Sequence, residues 1–234
     1  MELGGKSAQI LLDDADLARA LALIAGGVFT HCGQACNAGT RLLVHRRIHD
    51  QVVQSLHETA KSMRLGPGID DPDMGPLINQ SHLRTVESYL DVAKQEGELL
   101  LGAEKPSDPA LAKGAFARPA LVLKASNKSR IAQEEIFGPV LTVISFSTPE
   151  EALQMANDSE FGLVAGVRTR DIGTALKLAQ GLRVGQVWIN SFGIGLDVEF
   201  PFGGEKRSGF GQEKGIEALA TYQQIKNICV RHGF

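Results

Sequence analysis

Short apolar runs alternate with amphipathic stretches along most of the chain. The runs typical of buried strands are residues 8–12, 40–45, 99–101, 120–123, 140–146, 163–167 and 186–189. Between several of them apolar residues recur at helical spacing, as at Leu17, Leu21, Ile24 and Val28. This alternation predicts an α/β fold, with a mostly parallel sheet, helices on both faces and right-handed crossovers.

Capping residues predict where the helices begin. Asp13 and Asp14 are expected to cap a helix that runs to about Val28, and Ser81 to cap one that runs towards Glu96. The remaining predicted elements are helices at about 48–65, 148–157, 172–182 and 212–220, a surface loop at 105–114 and a closing strand at 222–230.

Size and charge narrow the classes of partner. The chain has 234 residues, of which 43% are hydrophobic, so it can bury a full core. Its formal charge of -3 shows no basic excess, which argues against nucleic acid or an anionic membrane as the main partner. No apolar run approaches the roughly 18 residues that a bilayer crossing needs. We therefore expect a small-molecule partner.

Cysteine usage indicates the redox compartment. The three cysteines, Cys32, Cys36 and Cys229, form an odd and sparse set, which argues against a disulfide framework. A reducing, cytoplasmic location is expected. Cys32 lies four residues before Cys36 and next to His31, but a closed metal site needs four ligands and no second pair is nearby. No metal site is predicted.

Two short segments carry the candidate chemistry. Gly33-Gln34-Ala35-Cys36 presents a soft nucleophile, and Glu2-Leu3-Gly4-Gly5-Lys6 presents a carboxylate that can serve as a base. A thiol and a base together permit covalent chemistry on a carbonyl. Alone, the pair is weak evidence, because most such cysteines are buried structural thiols and most glutamates are solvated surface residues.

The flanks of both segments resemble the aldehyde dehydrogenase family. The resemblance continues through 134–140 (EEIFGPV) and 201–209 (PFGGEKRSG), so that four motifs follow in the family's order. It implies that residues 1–221 are the catalytic domain and residues 222–234 a C-terminal oligomerisation strand. The family's dinucleotide-binding domain precedes the first motif, so we expect that domain to be missing from this chain.

The same resemblance implies roles for two residues. Cys36 would attack the aldehyde to form a thiohemiacetal that becomes a thioester, with its backbone amide donating to the oxyanion. Glu2 would activate the water that hydrolyses the thioester. Because chain ends are poorly ordered unless they are tied down, we expect Glu2 to be mobile or misplaced.

Cofactor and substrate contacts are also implied by the resemblance. Glu135 and Phe137 match positions that contact the nicotinamide ribose and ring, with the choice between NAD and NADP left open. The expected substrate pocket comprises Ala35, Asn37, Phe192 and Phe202. Asn190 and the segment 192–202 would line its entrance, although these aromatic residues would be equally unsurprising in the core.

The sequence therefore predicts an oxidoreductase that oxidises an aldehyde to a carboxylate with NAD(P) as hydride acceptor. We expect the chain to fold, to show little turnover by itself, and to form a homo-oligomer through its C-terminal strand. Two alternatives stay open. One is a non-catalytic assembly module that docks through residues 222–230, and the other is a cofactor-independent esterase that uses Cys36.

Overall fold

A seven-stranded sheet forms the centre of this computed structural model, which describes residues 1–102, 106, 108–193 and 198–233. Its spatial order is β3-β4-β5-β2-β1-β7-β8, and only the β3–β4 pair is antiparallel. A separate antiparallel pair joins β6 and β9. The strands are β1 (Ala8–Leu11), β2 (Arg41–His45), β3 (Glu98–Leu101), β4 (Ala120–Leu123), β5 (Val140–Phe146), β6 (Phe161–Gly162), β7 (Val164–Arg168), β8 (Gln186–Ile189) and β9 (Glu205–Lys206).

Helices connect the parallel strands and cover both faces of the sheet. The α-helices are α1 (Leu17–Phe29), α2 (His49–Ser62), α3 (Gln80–Glu96), α4 (Arg130–Gln133), α5 (Pro149–Asn157) and α6 (Ile172–Gly181). Five 3-10 helices are described, at Thr30–Gly33, Arg46–Ile48, Gly68–Asp70, Pro109–Leu111 and Ile216–Tyr222. This architecture confirms the predicted fold class.

The core has two sides because successive side chains of a strand point to opposite faces. Leu11 on β1 packs into the same cluster as Ile24 and Val28 of α1. Ile10, its neighbour, packs with Leu178 of α6 on the other side. Packing on both faces of the sheet explains why the runs that predict its central strands are largely apolar. Among the residues that the structure describes, no helix has the length and apolar character needed to cross a bilayer.

The predicted caps of α1 and α3 are wrong. The side chain that caps α1 is Asp16, which accepts the N–H of Arg19 at 3.3 Å. Asp14 instead accepts the N–H of Arg170 at 2.9 Å. The carboxylate that was predicted to cap α1 is therefore used in a tertiary contact. For α3 the cap is Asn79, which precedes the helix, while Ser81 lies inside it.

The C-terminal elements also differ from the prediction. In place of a helix at 212–220 there is a 3-10 helix at Ile216–Tyr222, which follows left-handed backbone at Gly211 and Gly215. Residues 223–233 form no strand, because a strand must pair with another strand and none pairs with this segment among the described residues. The predicted surface loop at 105–114 contains a 3-10 turn, and its residues 105 and 107 lie outside the described residues.

Candidate active site

A cleft of about 470 Å³ brings the two predicted motifs together. It holds Cys36 and Glu2 with Phe137, and also Ala35, Asn37 and Phe202 of the expected substrate pocket. The remaining wall comes from segments far away in sequence. The residues that line the cleft are Glu2, Gln34, Ala35, Cys36, Asn37, Phe137, Gln186, Trp188, Phe202, Glu213 and Lys214.

A left-handed turn after α1 delivers Cys36 to this cleft. Three successive residues, His31, Cys32 and Gly33, have φ values of 52°, 58° and 71°. This conformation is costly for residues with a side chain and is free for glycine. A Cβ at Gly33 would overlap the carbonyl of Gly138, so the turn packs directly against the segment that carries Phe137. The cysteine and cofactor motifs are thereby held in one unit.

Side-chain amides fix the backbone on both sides of the thiol. The Gln34 amide accepts the N–H of Ile78 at 2.9 Å and donates to the carbonyl of His31 at 3.0 Å. The Asn37 amide donates to the carbonyl of Gly193 at 3.0 Å. Cys36 therefore lies between two residues that are anchored to distant loops.

Glu2 is held in place, contrary to the expectation that it would be mobile. The N–H of Leu3 donates to the carbonyl of Ser208 at 2.9 Å. The N–H of Phe210 donates to the carbonyl of Met1 at 3.1 Å, and these bonds flank an antiparallel bridge between Glu2 and the 208–210 segment. The Glu2 carboxylate accepts the N–H of Gly4 at 2.7 Å. Backbone pairing thus supplies the anchor that the sequence does not reveal.

The Cys36 thiol is half-buried and faces the Glu2 carboxylate. Burial is the main reason that the pKa of the Cys36 thiol rises to about 11, and the charge and hydrogen bond of Glu2 raise it further. The backbone N–H groups of Asn37 and of Cys36 itself face the sulfur and lower the pKa. At neutral pH the resting group is therefore a thiol in contact with a carboxylate, and any reaction of the sulfur as a nucleophile requires loss of its proton.

Phe137 presents its ring to the cleft from a strained backbone. Its φ is 57°, and its carbonyl contacts His82 Nε2 at 2.6 Å. The two rings meet edge to face with centroids 6.3 Å apart. No local pattern marks His82 as part of the site, because it lies on α3, outside each of the four motifs.

Glu135 does not line the cleft that holds Cys36. Its carboxylate accepts the N–H of Gly5 at 3.1 Å and forms part of an adjoining groove of about 730 Å³. Burial is the main cause that raises the pKa of Glu135, and the charge of Glu2 adds to it, whereas the Gly5 amide and the Lys6 ammonium lower it. The two predicted cofactor residues therefore occupy neighbouring cavities.

Phe192 is not in the wall of the Cys36 cleft, although the sequence predicted it in the substrate pocket. It packs with Leu163 and Val164, and its ring lies over the guanidinium of Arg168 at 5.5 Å. Cys36, Trp188 and Phe202 pack against the same cluster, so Phe192 lies next to the cleft but not in its wall. Asn190 also lines a different cavity. Residues 194–197 of the predicted entrance lie outside the described residues.

Four cleft residues were missed by the sequence reasoning. Gln186 and Trp188 lie on β8, which was predicted as a strand but without any known neighbour. Glu213 exchanges backbone hydrogen bonds of 2.6 and 2.7 Å with Phe202, and the ammonium of Lys214 lies 5.3 Å from the centre of the Phe202 ring. Only the fold brings these segments to Cys36.

Lys6 is buried behind the cleft, with no hydrogen-bond partner for its ammonium nitrogen among the described residues. Burial and then the nearby charge of Arg41 lower the pKa of Lys6 to about 7, against the opposing pull of Glu135 and Glu134. Within the described ranges no group of three or more His, Cys, Asp or Glu side chains is arranged to hold a metal ion. All three cysteines are free, and burial raises the pKa of Cys32 to about 12.

Comparison with known proteins gives consistent matches. The model of the aldehyde dehydrogenase family matches residues 1–228. Betaine aldehyde dehydrogenases of Mesorhizobium japonicum and Bacillus subtilis are each 43% identical to this chain, over 100% and 97% of its length and 48% and 47% of theirs. The crystal structure of betaine aldehyde dehydrogenase from Staphylococcus aureus in complex with NAD+ aligns with a TM-score of 0.92 at 44% identity, covering 94% of this chain and 44% of that one. The chain spans about half the length of these relatives.

Proposed function

Because this chain belongs to the aldehyde dehydrogenase family, we propose that it carries the thiol chemistry of an enzyme that oxidises an aldehyde to a carboxylate. The observation that supports this most directly is the shared cleft, in which the Cys36 thiol contacts the Glu2 carboxylate. A nucleophile and a base within contact are the minimum that covalent catalysis on a carbonyl requires.

In the proposed reaction the Cys36 sulfur attacks the aldehyde carbon, and as the C–S bond forms the thiol proton passes to the Glu2 carboxylate, which releases it to solvent before hydrolysis. The backbone N–H of Cys36 is the donor proposed for the oxyanion of the thiohemiacetal. The chemistry supplied by a bound nicotinamide cofactor is acceptance of the hydride that the thiohemiacetal loses in becoming a thioester. Glu2 then takes a proton from water as the water attacks the thioester, which releases the carboxylate and restores the thiol.

The residues present fit a nicotinamide group next to Cys36. The Phe137 ring is 38% exposed and offers an apolar face to the cleft. Glu135, in the adjoining groove, offers carboxylate oxygens of the kind that bind ribose hydroxyls. The relative from Staphylococcus aureus was crystallised with NAD+. We propose NAD or NADP as the cofactor, with Phe137 and Glu135 as its contacts in this chain.

The experiment follows acylation of Cys36 by an activated ester, 4-nitrophenyl acetate. Intact-mass spectrometry of the purified chain is expected to show one transient acetyl group, which persists in Glu2→Gln because hydrolysis of the thioester is slowed. Cys229→Ser is the matched control, since that cysteine is exposed and outside the cleft. Acylation that survives Cys36→Ser in the Cys229→Ser background would contradict the proposal. We also expect little NADH from an aldehyde and NAD+ with this chain alone, and robust turnover would contradict that expectation.

A second candidate is a non-catalytic assembly module, favoured by the exposed tail. Residues 223–233 are exposed, and Ile225, Ile228 and Val230 are apolar side chains left in solvent. In both candidates we propose that residues 222–234 form an oligomerisation strand and that the chain forms a homo-oligomer. The candidates differ in whether residues 1–221, the proposed catalytic domain, carry out chemistry. Truncation after residue 221 should lower the mass measured by light scattering while acylation of Cys36 persists. Loss of neither property would count against an assembly role for the tail.

Alkylation by iodoacetamide does not by itself separate the two candidates. The raised pKa of Cys36 makes this thiol slower than the exposed Cys229 whether or not it is catalytic. Acylation followed by Glu2-dependent release does separate them. We further propose a reducing compartment such as the cytoplasm, because all three cysteines are free.

A further inference from the structure

A second cavity, of about 290 Å³, lies where β7 and β8 end, beside the start of α1. We call it the arginine cavity, because three of its wall residues are arginines. None of the three forms an ion pair with a carboxylate in the described part of the chain. The wall residues are Asp16, Arg19, Ala20, Leu23, Arg168, Thr169, Arg170 and Asn190.

Arg168 is the buried member of this group. Its side chain is 1% exposed, and its Nη2 donates to Gln9 Oε1 at 2.7 Å. The Phe192 ring covers its guanidinium, and Nε and Nη1 have no hydrogen-bond partner among the described residues. Burial lowers the pKa of Arg168 to about 10, so the group stays charged at neutral pH. A buried cation with two unused donors is costly without a counter-charge.

The nearby carboxylates are engaged elsewhere. Asp16 caps α1 through the N–H of Arg19. Asp14 accepts from the hydroxyl of Thr169 at 2.7 Å and from the N–H of Arg170 at 2.9 Å. Both acids therefore bond to backbone and hydroxyl groups, and within the described ranges the side chains of the exposed Arg19 and Arg170 form no ion pair with an acid.

We propose that the arginine cavity binds a small oxyanion, a carboxylate or phosphate group. Guanidinium groups present paired N–H donors that match the oxygens of these anions. The volume is that of a small-ligand site, and the excess of cations favours a negative occupant. Arg168 supplies the buried charge, and Arg19 and Arg170 supply the charge at the surface.

The position of the cavity gives two sources for this oxyanion. Trp188, on β8, lines the Cys36 cleft. Asn190, two residues after Trp188, lines the arginine cavity. The chain leaves the extended conformation at Asn190, whose φ is 52°, and two residues of chain keep the two Cα atoms within about 7 Å of each other. The oxyanion is therefore either a free anion or the far end of an aldehyde held in the Cys36 cleft. The second source rests on the proposed function.

The first arm of the test uses inorganic phosphate and acetate as probes. The midpoint of thermal unfolding of the purified chain is measured with each probe and with sodium chloride at the same ionic strength. Either oxyanion should raise the midpoint in a saturable manner. Arg168→Met should raise the dissociation constant of phosphate, obtained from these shifts, by about tenfold or more, as expected for the loss of a charged hydrogen-bond partner. Arg46→Met, at an exposed arginine away from the cavity, should leave it unchanged.

A double variant guards against a folding defect in Arg168→Met. Arg19→Gln with Arg170→Gln changes only exposed side chains and should also weaken the phosphate effect. No oxyanion-specific shift in the wild type, or equal shifts in the wild type and both variants, would overturn the proposal. This arm uses no chemistry of Cys36, so its outcome is independent of the proposed function.

The second arm distinguishes the two sources. Two aldehydes are compared, one of five or six carbons with a terminal carboxylate and the other its methyl ester. The measurement is how strongly each slows the alkylation of Cys36 by iodoacetamide. Stronger protection by the acid, lost in Arg168→Met, assigns the site to the far end of the substrate. Equal protection, together with the phosphate shift of the first arm, assigns it to a free anion.

Discussion

The most direct test of the site is the effect of Glu2→Gln on the acidity of Cys36. The pKa of the Cys36 thiol is raised from 9.0 to about 11, with burial as the main cause and the charge and hydrogen bond of Glu2 next. At pH 8 a thiol of this pKa is ionised in about one molecule in a thousand. Removing the Glu2 charge should lower the pKa by about one unit and raise the thiolate fraction about tenfold, since burial remains.

The assay measures alkylation of Cys36 by iodoacetamide between pH 7 and 10, by mass spectrometry of the cysteine peptides. Cys229 is exposed in the same molecule and serves as the internal reference. We expect Cys36 to react about tenfold faster at pH 8 in Glu2→Gln, because the reagent attacks the thiolate. Glu217→Gln, which removes an exposed carboxylate elsewhere, should leave the rate unchanged. An unchanged or slower rate in Glu2→Gln would refute the proposed electrostatic coupling.

Two further substitutions test the packing around the cleft. In urea denaturation Gly26→Ala should stabilise the chain by about 0.5–1 kcal/mol, because the position is exposed on α1 with open space around it. Gly27→Ala should destabilise by about 1–3 kcal/mol, since the new Cβ would lie 2.8 Å from the Phe192 ring, and effects of the same sign would contradict this packing. Lys6, with its pKa lowered from 10.5 to about 7, binds fewer protons when folded than when unfolded between these pH values. The free energy of unfolding should therefore rise with pH across that window, and Lys6→Met should abolish this contribution; parallel pH profiles would argue against a buried, shifted lysine.

Much of the fold follows from local pattern. The run at 140–146 matches β5 to the residue, because a strand covered on both faces is predominantly apolar. Helix starts were harder to predict, since Asp14 and Asp16 are equally good caps and only the tertiary contact to Arg170 decides between them. A strand in the tail could not be tested by pattern alone, because strand formation depends on a partner.

The site was predictable only where its residues lie within recognisable motifs. Cys36, Glu2 and Phe137 belong to such motifs and meet in one cleft. His82 and Trp188 come from α3 and β8 and carry no local mark of their position. Phe192 stacks on Arg168 and packs in the cluster that Cys36 adjoins, so its place in the substrate pocket stays a prediction. Long-range packing thus determines what short sequence segments cannot specify.

The pairing that anchors Glu2 has a consequence for biosynthesis. The ammonium group of Met1 bonds to the carbonyl of Phe210, 209 residues later. At ribosomal rates of about 5–20 residues per second, roughly 10–40 s separate the translation of these two partners. During that interval the segment around Cys36 has been made, whereas residues 208–210, which hold Glu2 in place, have not. A nascent chain therefore carries an accessible thiol before the cleft that will shelter it can close.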